Sequence, residues 1–121
     1  MDLSDADLAL ASIERDVAHA QARATLAARV QDDVAALRGT GRSPAGDVVV
    51  VTDVAGRLHD VRLTASALQT GPASLSRALV SAARAAEAHA ARQTLTVVGE
   101  AFGADSATLA RLQAELAGRP R

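Results

Sequence analysis

Arginine is the residue type that gives this chain its clearest means of binding a ligand. All 13 basic residues of the 121-residue sequence are arginine. Arg77, Arg84 and Arg92 recur at intervals of seven and eight residues, which places them on one face of a predicted helix. Arg38 and Arg42 flank a glycine-rich loop. We predict that these five guanidinium groups contact nucleic-acid phosphates, although an ordinary solvated helix face would show the same row.

Other side chains that could do chemistry lack the partners that the chemistry needs. The three histidines stand at positions 19, 59 and 89, one in each predicted element, so none forms a metal-binding pair. The absence of cysteine excludes disulfide scaffolds, thiolate zinc sites and thiol nucleophiles. The segment Gly39–Ser43 has neither the lysine nor the strand–loop–helix order of a phosphate loop. The sequence therefore predicts a protein that is not an enzyme and has no metal and no cofactor.

Composition limits the partners and the cellular setting. The formal net charge is −1, so the chain as a whole has no field that would attract nucleic acid or a membrane. The hydrophobic 49% is mostly alanine interrupted by charge, and no run reaches the roughly 18 apolar residues of a membrane helix. The acidic start Met1–Asp5 differs from the basic start of a secretory signal. We expect a cytoplasmic protein with no membrane partner.

The first part of the chain predicts one long helix whose apolar stripe needs a partner. Ser4 can cap it, with Asp7 completing a weak capping box, and no glycine or proline interrupts it before Gly39. At 1.5 Å per residue, a helix over residues 3–38 is about 50 Å long, too long for a compact globule of this size. With Phe102 as the only aromatic residue the core is thin, and we predict a homodimer. The predicted dimer seam comprises the heptad-spaced residues Leu10, Ile13, Val17, Ala20, Ala24 and Ala27, within a stripe from Leu3 to Leu37.

The middle of the chain predicts a small antiparallel sheet. We expect residues 39–46 to form a flexible connection and the valine-rich residues 47–52 to form a strand. A tight turn at Asp53–Gly56 leads to a partner strand over residues 58–64. Residues 65–71 form either a third strand or a turn.

A second helix and a tail complete the predicted fold. The second helix covers residues 72 to about 94, with Gly99 as its stop. Its apolar stripe comprises Leu75, Leu79, Ala82, Ala86 and Ala90. A short amphipathic helix over residues 106–116 carries Leu109, Leu112 and Leu116 on one side, and we expect it to be mobile or docked on a partner. The predicted fold class is α+β, with a domain over residues 1–98 and a tail over residues 99–121.

The order of elements resembles the YbaB/EbfC nucleoid-associated family, in the divergent form common in actinobacteria. The resemblance covers roughly residues 5–93, and its specific part is the segment Gly46–Leu63 joined to Leu75, Ala82, Ala86 and Ala90. It implies a tweezer-like α/β homodimer, with sheets joined at the centre and long helices projecting as arms. It also implies DNA binding with little sequence preference and a part in nucleoid organisation and gene expression.

Two functions are consistent with these features. The first is a homodimeric, nucleoid-associated protein that binds double-stranded DNA nonspecifically through arginine–phosphate contacts. The alternative is a dimeric helical adaptor or chaperone that engages another protein, for example alongside a specialised secretion system, without binding DNA directly. The row of arginines favours the first function, whereas the near-zero net charge, the alanine-rich seam and the tail leucines favour the second.

Overall fold

Four helices and three strands make up the part of the chain that the computed structural model describes, which is residues 4–103 and 107–118. The strands form one antiparallel sheet in the order β1-β2-β3, which confirms the predicted α+β class. In chain order the elements are α1 (Asp5–Ala36), β1 (Gly39–Arg42), β2 (Val48–Thr52), β3 (Leu58–Leu63), α2 (Ala65–Gln69), α3 (Pro72–Phe102) and α4 (Ala107–Ala117).

The predicted first helix is confirmed as α1. A reciprocal capping box holds its first turn: the Ser4 hydroxyl accepts the Asp7 N–H at 3.2 Å, and the Asp7 carboxylate accepts the Ser4 N–H at 3.4 Å. Residues 4–25 are all exposed, and burial against the rest of the chain begins at Leu26. The exposed part of α1 is therefore an arm about 30 Å long. Leu3, the first residue of the predicted stripe, lies outside the described residues.

Strand β1 begins where the sequence predicted a flexible connection. Gly39 and Gly41 are buried against α3, where a Cβ would collide with the carbonyl oxygen of Ala86 or of Ala82, respectively. The absence of a Cβ lets the strand backbone lie directly on the alanine stripe of the helix. The predicted flexible connection was therefore wrong for residues 39–42, because the glycines here allow close packing of a strand against α3 and do not form a turn. The turn is confined to the residues after Arg42.

The β2–β3 hairpin was predicted correctly. Val48 and Val50 are fully buried beneath α3, whereas Val49 and Val51 are only half-buried because α3 covers the other face of the strand. Strand β3 lies at one edge of the sheet and all six of its residues are exposed. The sheet therefore has one face and one edge that no described helix covers fully.

Residues 65–69 form the short helix α2, not a third strand. The Thr64 hydroxyl caps this helix by accepting the Ala67 N–H at 3.2 Å, and Ala67 is buried in the core beneath the sheet. The third strand of the sheet is instead β1, on the other side of β2.

Helix α3 continues past Gly99 and ends at Phe102, followed by Gly103 with φ of 89°. Thr94 is buried, and its hydroxyl donates to the carbonyl oxygen of Ala90 at 2.9 Å. Threonine and valine have low helix propensity, and for this reason the sequence prediction ended the helix near residue 94. Burial of Thr94 and Val98 outweighs this low propensity, so the helix continues.

A second core joins the C-terminal parts of α1 and α3 to α4. Val30, Val98 and Leu109 are buried together, and Leu112 packs against them. The predicted tail helix is therefore present as α4, and it packs against α1 and α3 of its own chain.

Candidate nucleic-acid interface

Helix α3 presents three exposed arginines on the side opposite the sheet. Arg77, Arg84 and Arg92 are all exposed, and the helical rise spaces them about 10 and 12 Å apart along the axis. The buried residues Ala82 and Ala86, on which β1 lies, occupy the reverse side of the helix. We call the three guanidinium groups the α3 arginine row.

Two members of the α3 arginine row share one shallow groove. Arg77 and Arg84 border it, and its lining is completed by Ser76, Val80 and Ser81. The guanidinium group of Arg84 makes no hydrogen bond with any residue in the described part of the chain, so its donors face solvent. Guanidinium and hydroxyl donors at one groove suit the oxygens of a phosphate group.

Carboxylates do not neutralise this surface. Across residues 4–103 and 107–118, the two ion pairs both lie in the β2–β3 hairpin. Glu87 is the acidic residue of α3 nearest to Arg84, and its Oε1 lies 3.3 Å from the position of a Cβ built on Gly56. The carboxylate of Glu87 is therefore directed toward the hairpin turn, and the α3 arginine row keeps its positive charge.

The other two predicted phosphate contacts lie elsewhere. Arg38 Nη1 donates to the carbonyl oxygens of Ala35 at 3.2 Å and Leu37 at 2.9 Å, which satisfies the C-terminal end of α1. Arg42 ends β1, and since Gly41 faces α3, strand alternation directs Arg42 to the outer face of the sheet. The structure thus brings the α3 arginine row together and leaves Arg38 and Arg42 apart from it.

His89 and Gln93 have a role at the sheet edge that the sequence did not reveal. His89 Nδ1 accepts the backbone N–H of Thr40 at 2.9 Å, and Gln93 Nε2 donates to the carbonyl oxygen of Arg38 at 3.1 Å. These two side chains, one helical turn apart on α3, satisfy outward-facing backbone groups at β1. Their four-residue spacing is visible in the sequence, but it carries no signal until β1 is recognised as a strand.

The tip of the β2–β3 hairpin is a polar cluster around Asp53. Its Oδ1 accepts the N–H groups of Ala55 at 2.9 Å and Arg57 at 3.0 Å, while its Oδ2 lies 3.0 Å from His59 Nε2. The hydrogen bond with His59, followed by those from the Arg57 and Ala55 N–H groups, lowers the pKa of Asp53 from its ordinary value. These contacts organise the turn, as the position of Asp53 in the sequence predicted.

These elements define a small α+β protein with a projecting helical arm and a cationic helix face. The sequence profile of the YbaB/EbfC DNA-binding family matches residues 11–104, and the chain belongs to that family. This is a DNA-binding family, not a known family of enzymes. No curated protein sequence matches the chain significantly.

Two further properties concern the described residues only. None of their helices is both long and apolar enough to cross a membrane. No three of their histidine, aspartate and glutamate side chains come together as a metal site.

Proposed function

We propose that this protein is a homodimeric, nucleoid-associated protein that binds double-stranded DNA with little sequence preference. The observation that carries the proposal is the α3 arginine row, which is exposed, linear and free of carboxylate partners among the described residues. Because guanidinium groups meet phosphate oxygens whatever the base sequence, such a surface supports binding without base readout.

The net charge of −1 is compatible with this proposal because the charges are segregated. The acids of α1 lie among its arginines, and Asp53 and Asp60 lie in the hairpin, each beside a histidine or an arginine. Since charges beyond about 10 Å are largely screened at physiological salt, a phosphate at α3 responds mainly to the local guanidinium groups.

Arg38 and Arg42 have a secondary place in the proposal. The Arg38 guanidinium already donates to the end of α1, and Arg42 lies on the outer face of the sheet, away from α3. A duplex bound along the α3 arginine row therefore cannot also reach Arg42 of the same protomer. Arg42 is available only to a second DNA segment.

The proposed homodimer uses the seam predicted on α1. Leu10, Ile13 and Val17 are 55%, 58% and 49% exposed in the single chain. Ala20, Ala24 and Ala27 are exposed as well. A contiguous apolar stripe of this length on one helix is the surface that a second helix covers in a coiled coil.

A salt-dependent DNA titration tests the proposal. Binding of a fluorescent random duplex is measured by anisotropy at about 50 and 200 mM salt, where neutralising six phosphates per dimer predicts a loss of affinity on the order of 10³-fold. The triple variant Arg77→Gln, Arg84→Gln, Arg92→Gln should lose most of the affinity and reduce the slope of log K against log salt by about 0.9 per lost contact.

The matched control removes three exposed arginines from other places. Arg15→Gln, Arg57→Gln and Arg111→Gln together change the net charge by the same amount as the first triple variant. The control should keep a salt slope close to that of the parent protein. Equal losses of DNA affinity in the two triple variants would show that the total charge of the protein, not the α3 arginine row, determines binding.

The exposed α1 stripe also favours a second candidate, a helical adaptor that binds another protein. The tail leucines no longer support it, because Leu109 and Leu112 pack in the core formed with α1 and α3. The same titration separates the candidates: a dimer that shows no DNA binding at about 50 mM salt would support the adaptor.

A further inference from the structure

Helix α4 covers an apolar surface that α1 and α3 form at the base of the arm. Leu109 of α4 is buried there, and a Cβ built on Gly99 would lie 3.7 Å from its Cδ2 atom, so this glycine leaves a notch for a leucine. Helix α4 lies outside residues 11–104, which the family profile matches. We call the following six residues the base surface: Leu26, Val30, Val34, Val97, Val98 and Ala101.

Helix α4 leaves part of the base surface open. Leu26, Val30, Val97 and Ala101 also line a groove of about 380 Å³ to which α4 contributes no residue. An open apolar groove beside a packed helix can bury a further side chain from another molecule.

The contacts that hold α4 in place are few. Of its 11 residues, Leu109 is buried, Leu112 and Leu116 are half-buried, and the others are exposed. A helix of this length is marginal on its own in water, and ordering its backbone costs conformational entropy that one buried leucine offsets only in part. We therefore expect α4 to open locally more readily than the sheet and α3.

We propose that the base surface is a docking site for an amphipathic helix of a different protein, and that α4 is a built-in competitor for this site. The docked helix carries large apolar residues at the spacing of Leu109, Leu112 and Leu116, which places them on one face, and it fills the groove that α4 leaves open. This inference does not depend on DNA binding, and a negative DNA titration would leave it standing.

The charges around the groove favour a basic partner helix. Asp33, Glu100 and Arg29 border the groove, and none of them has an ion-pair partner among residues 4–103 and 107–118. Two carboxylates and one guanidinium give the rim a net negative charge, which complements lysine or arginine on an incoming helix. The charges of α4 itself, Arg111 and Glu115, cancel.

Two fluorescent peptides test the site by anisotropy on the full chain. The first has the sequence of residues 104–118. The second, a designed peptide, keeps the three leucines of α4 and replaces its exposed residues with alanine, glutamine and lysine. The designed peptide should bind about fivefold more tightly, because its lysines meet Asp33 and Glu100. Binding of the first peptide alone would show that the surface accepts only α4, from this chain or a second copy, and would overturn the inference.

Releasing α4 shows whether the site lies beneath it. Leu109→Asp places a charge in the base surface and should bind the designed peptide about tenfold more tightly than the parent chain, which corresponds to a site open in about one parent molecule in ten. Ala110→Asp is the matched control, because it makes the same charge change at an exposed position of α4, and it should bind like the parent. Equal affinity of Leu109→Asp and the parent, or no binding to either, would overturn the proposal.

A pair of double variants tests the charge of the partner. Asp33→Asn with Glu100→Gln should weaken binding of the designed peptide about fivefold. Asp32→Asn with Glu14→Gln makes the same change in net charge at exposed positions outside the groove and should have little effect. Equal affinities of the two double variants would refute a basic partner helix.

Hydrogen exchange on the parent chain provides a test that does not require Leu109→Asp to fold. At saturating designed peptide, exchange should rise at least tenfold in residues 107–117, because α4 is displaced, and should fall in residues 26–37 and 95–102. Protection that stays unchanged in α4, or that increases elsewhere on the chain, would overturn the assignment of the site.

Discussion

A methyl group added at Gly41 should destabilise the whole chain, because this glycine brings the sheet onto α3. A Cβ at Gly41 would collide with the carbonyl oxygen of Ala82 and the backbone nitrogen of Ala86. Both atoms belong to the helix backbone, so no side-chain rotation relieves the contact and β1 must move. Its movement reopens the core around Val48 and Val50. We expect Gly41→Ala to cost about 3 kcal/mol, the upper end of the range for overpacking.

Urea unfolding followed by circular dichroism, at one fixed protein concentration, measures this cost. With a slope of about 1–3 kcal/mol per molar urea, the midpoint should fall by about 1–3 M. Thr40→Ala is the control, since it changes a neighbouring residue of β1 that is exposed, and it should shift the midpoint little. If Gly41→Ala and Thr40→Ala unfold at the same urea concentration, β1 does not lie on α3 as described.

Three further predictions follow from particular contacts. Because the pKa of Asp53 is lowered in the folded chain, the ionised carboxylate stabilises the fold at any pH above the ordinary aspartate value of about 3.9. This stabilisation is lost as the pH falls through the lower pKa of the folded state. Acid unfolding should show the loss in the parent chain, and Asp53→Asn should abolish this pH dependence. His89→Ala removes the acceptor of the Thr40 N–H and should lower the free energy of unfolding by about 1 kcal/mol, whereas His19→Ala on the exposed arm should not change it. Ala24→Glu places a carboxylate in the seam and should weaken the dimer about tenfold or more in sedimentation equilibrium, while an unchanged dissociation constant would exclude this seam.

The parts of the fold with a strong local pattern could be predicted from the sequence. The capping box at Ser4, the run of four valines in β2 and the turn from Asp53 to Gly56 each have a local physical cause, and each is present. The arginine spacing similarly predicted a row on one face of a helix. Helical periodicity is sufficient to place side chains on one face of a regular element.

The errors occurred where distant residues determine the local conformation. Gly39 and Gly41 are typical of a loop unless the alanine stripe of α3 is known to lie against them, which depends on residues more than 40 positions away. Thr94 is a poor helix former that burial retains in α3. Arg42 cannot be separated from the α3 arginine row until the strand face of Gly41 is known. In each case tertiary contacts determine the conformation or placement of the residue, and the local sequence pattern carries no information about those contacts.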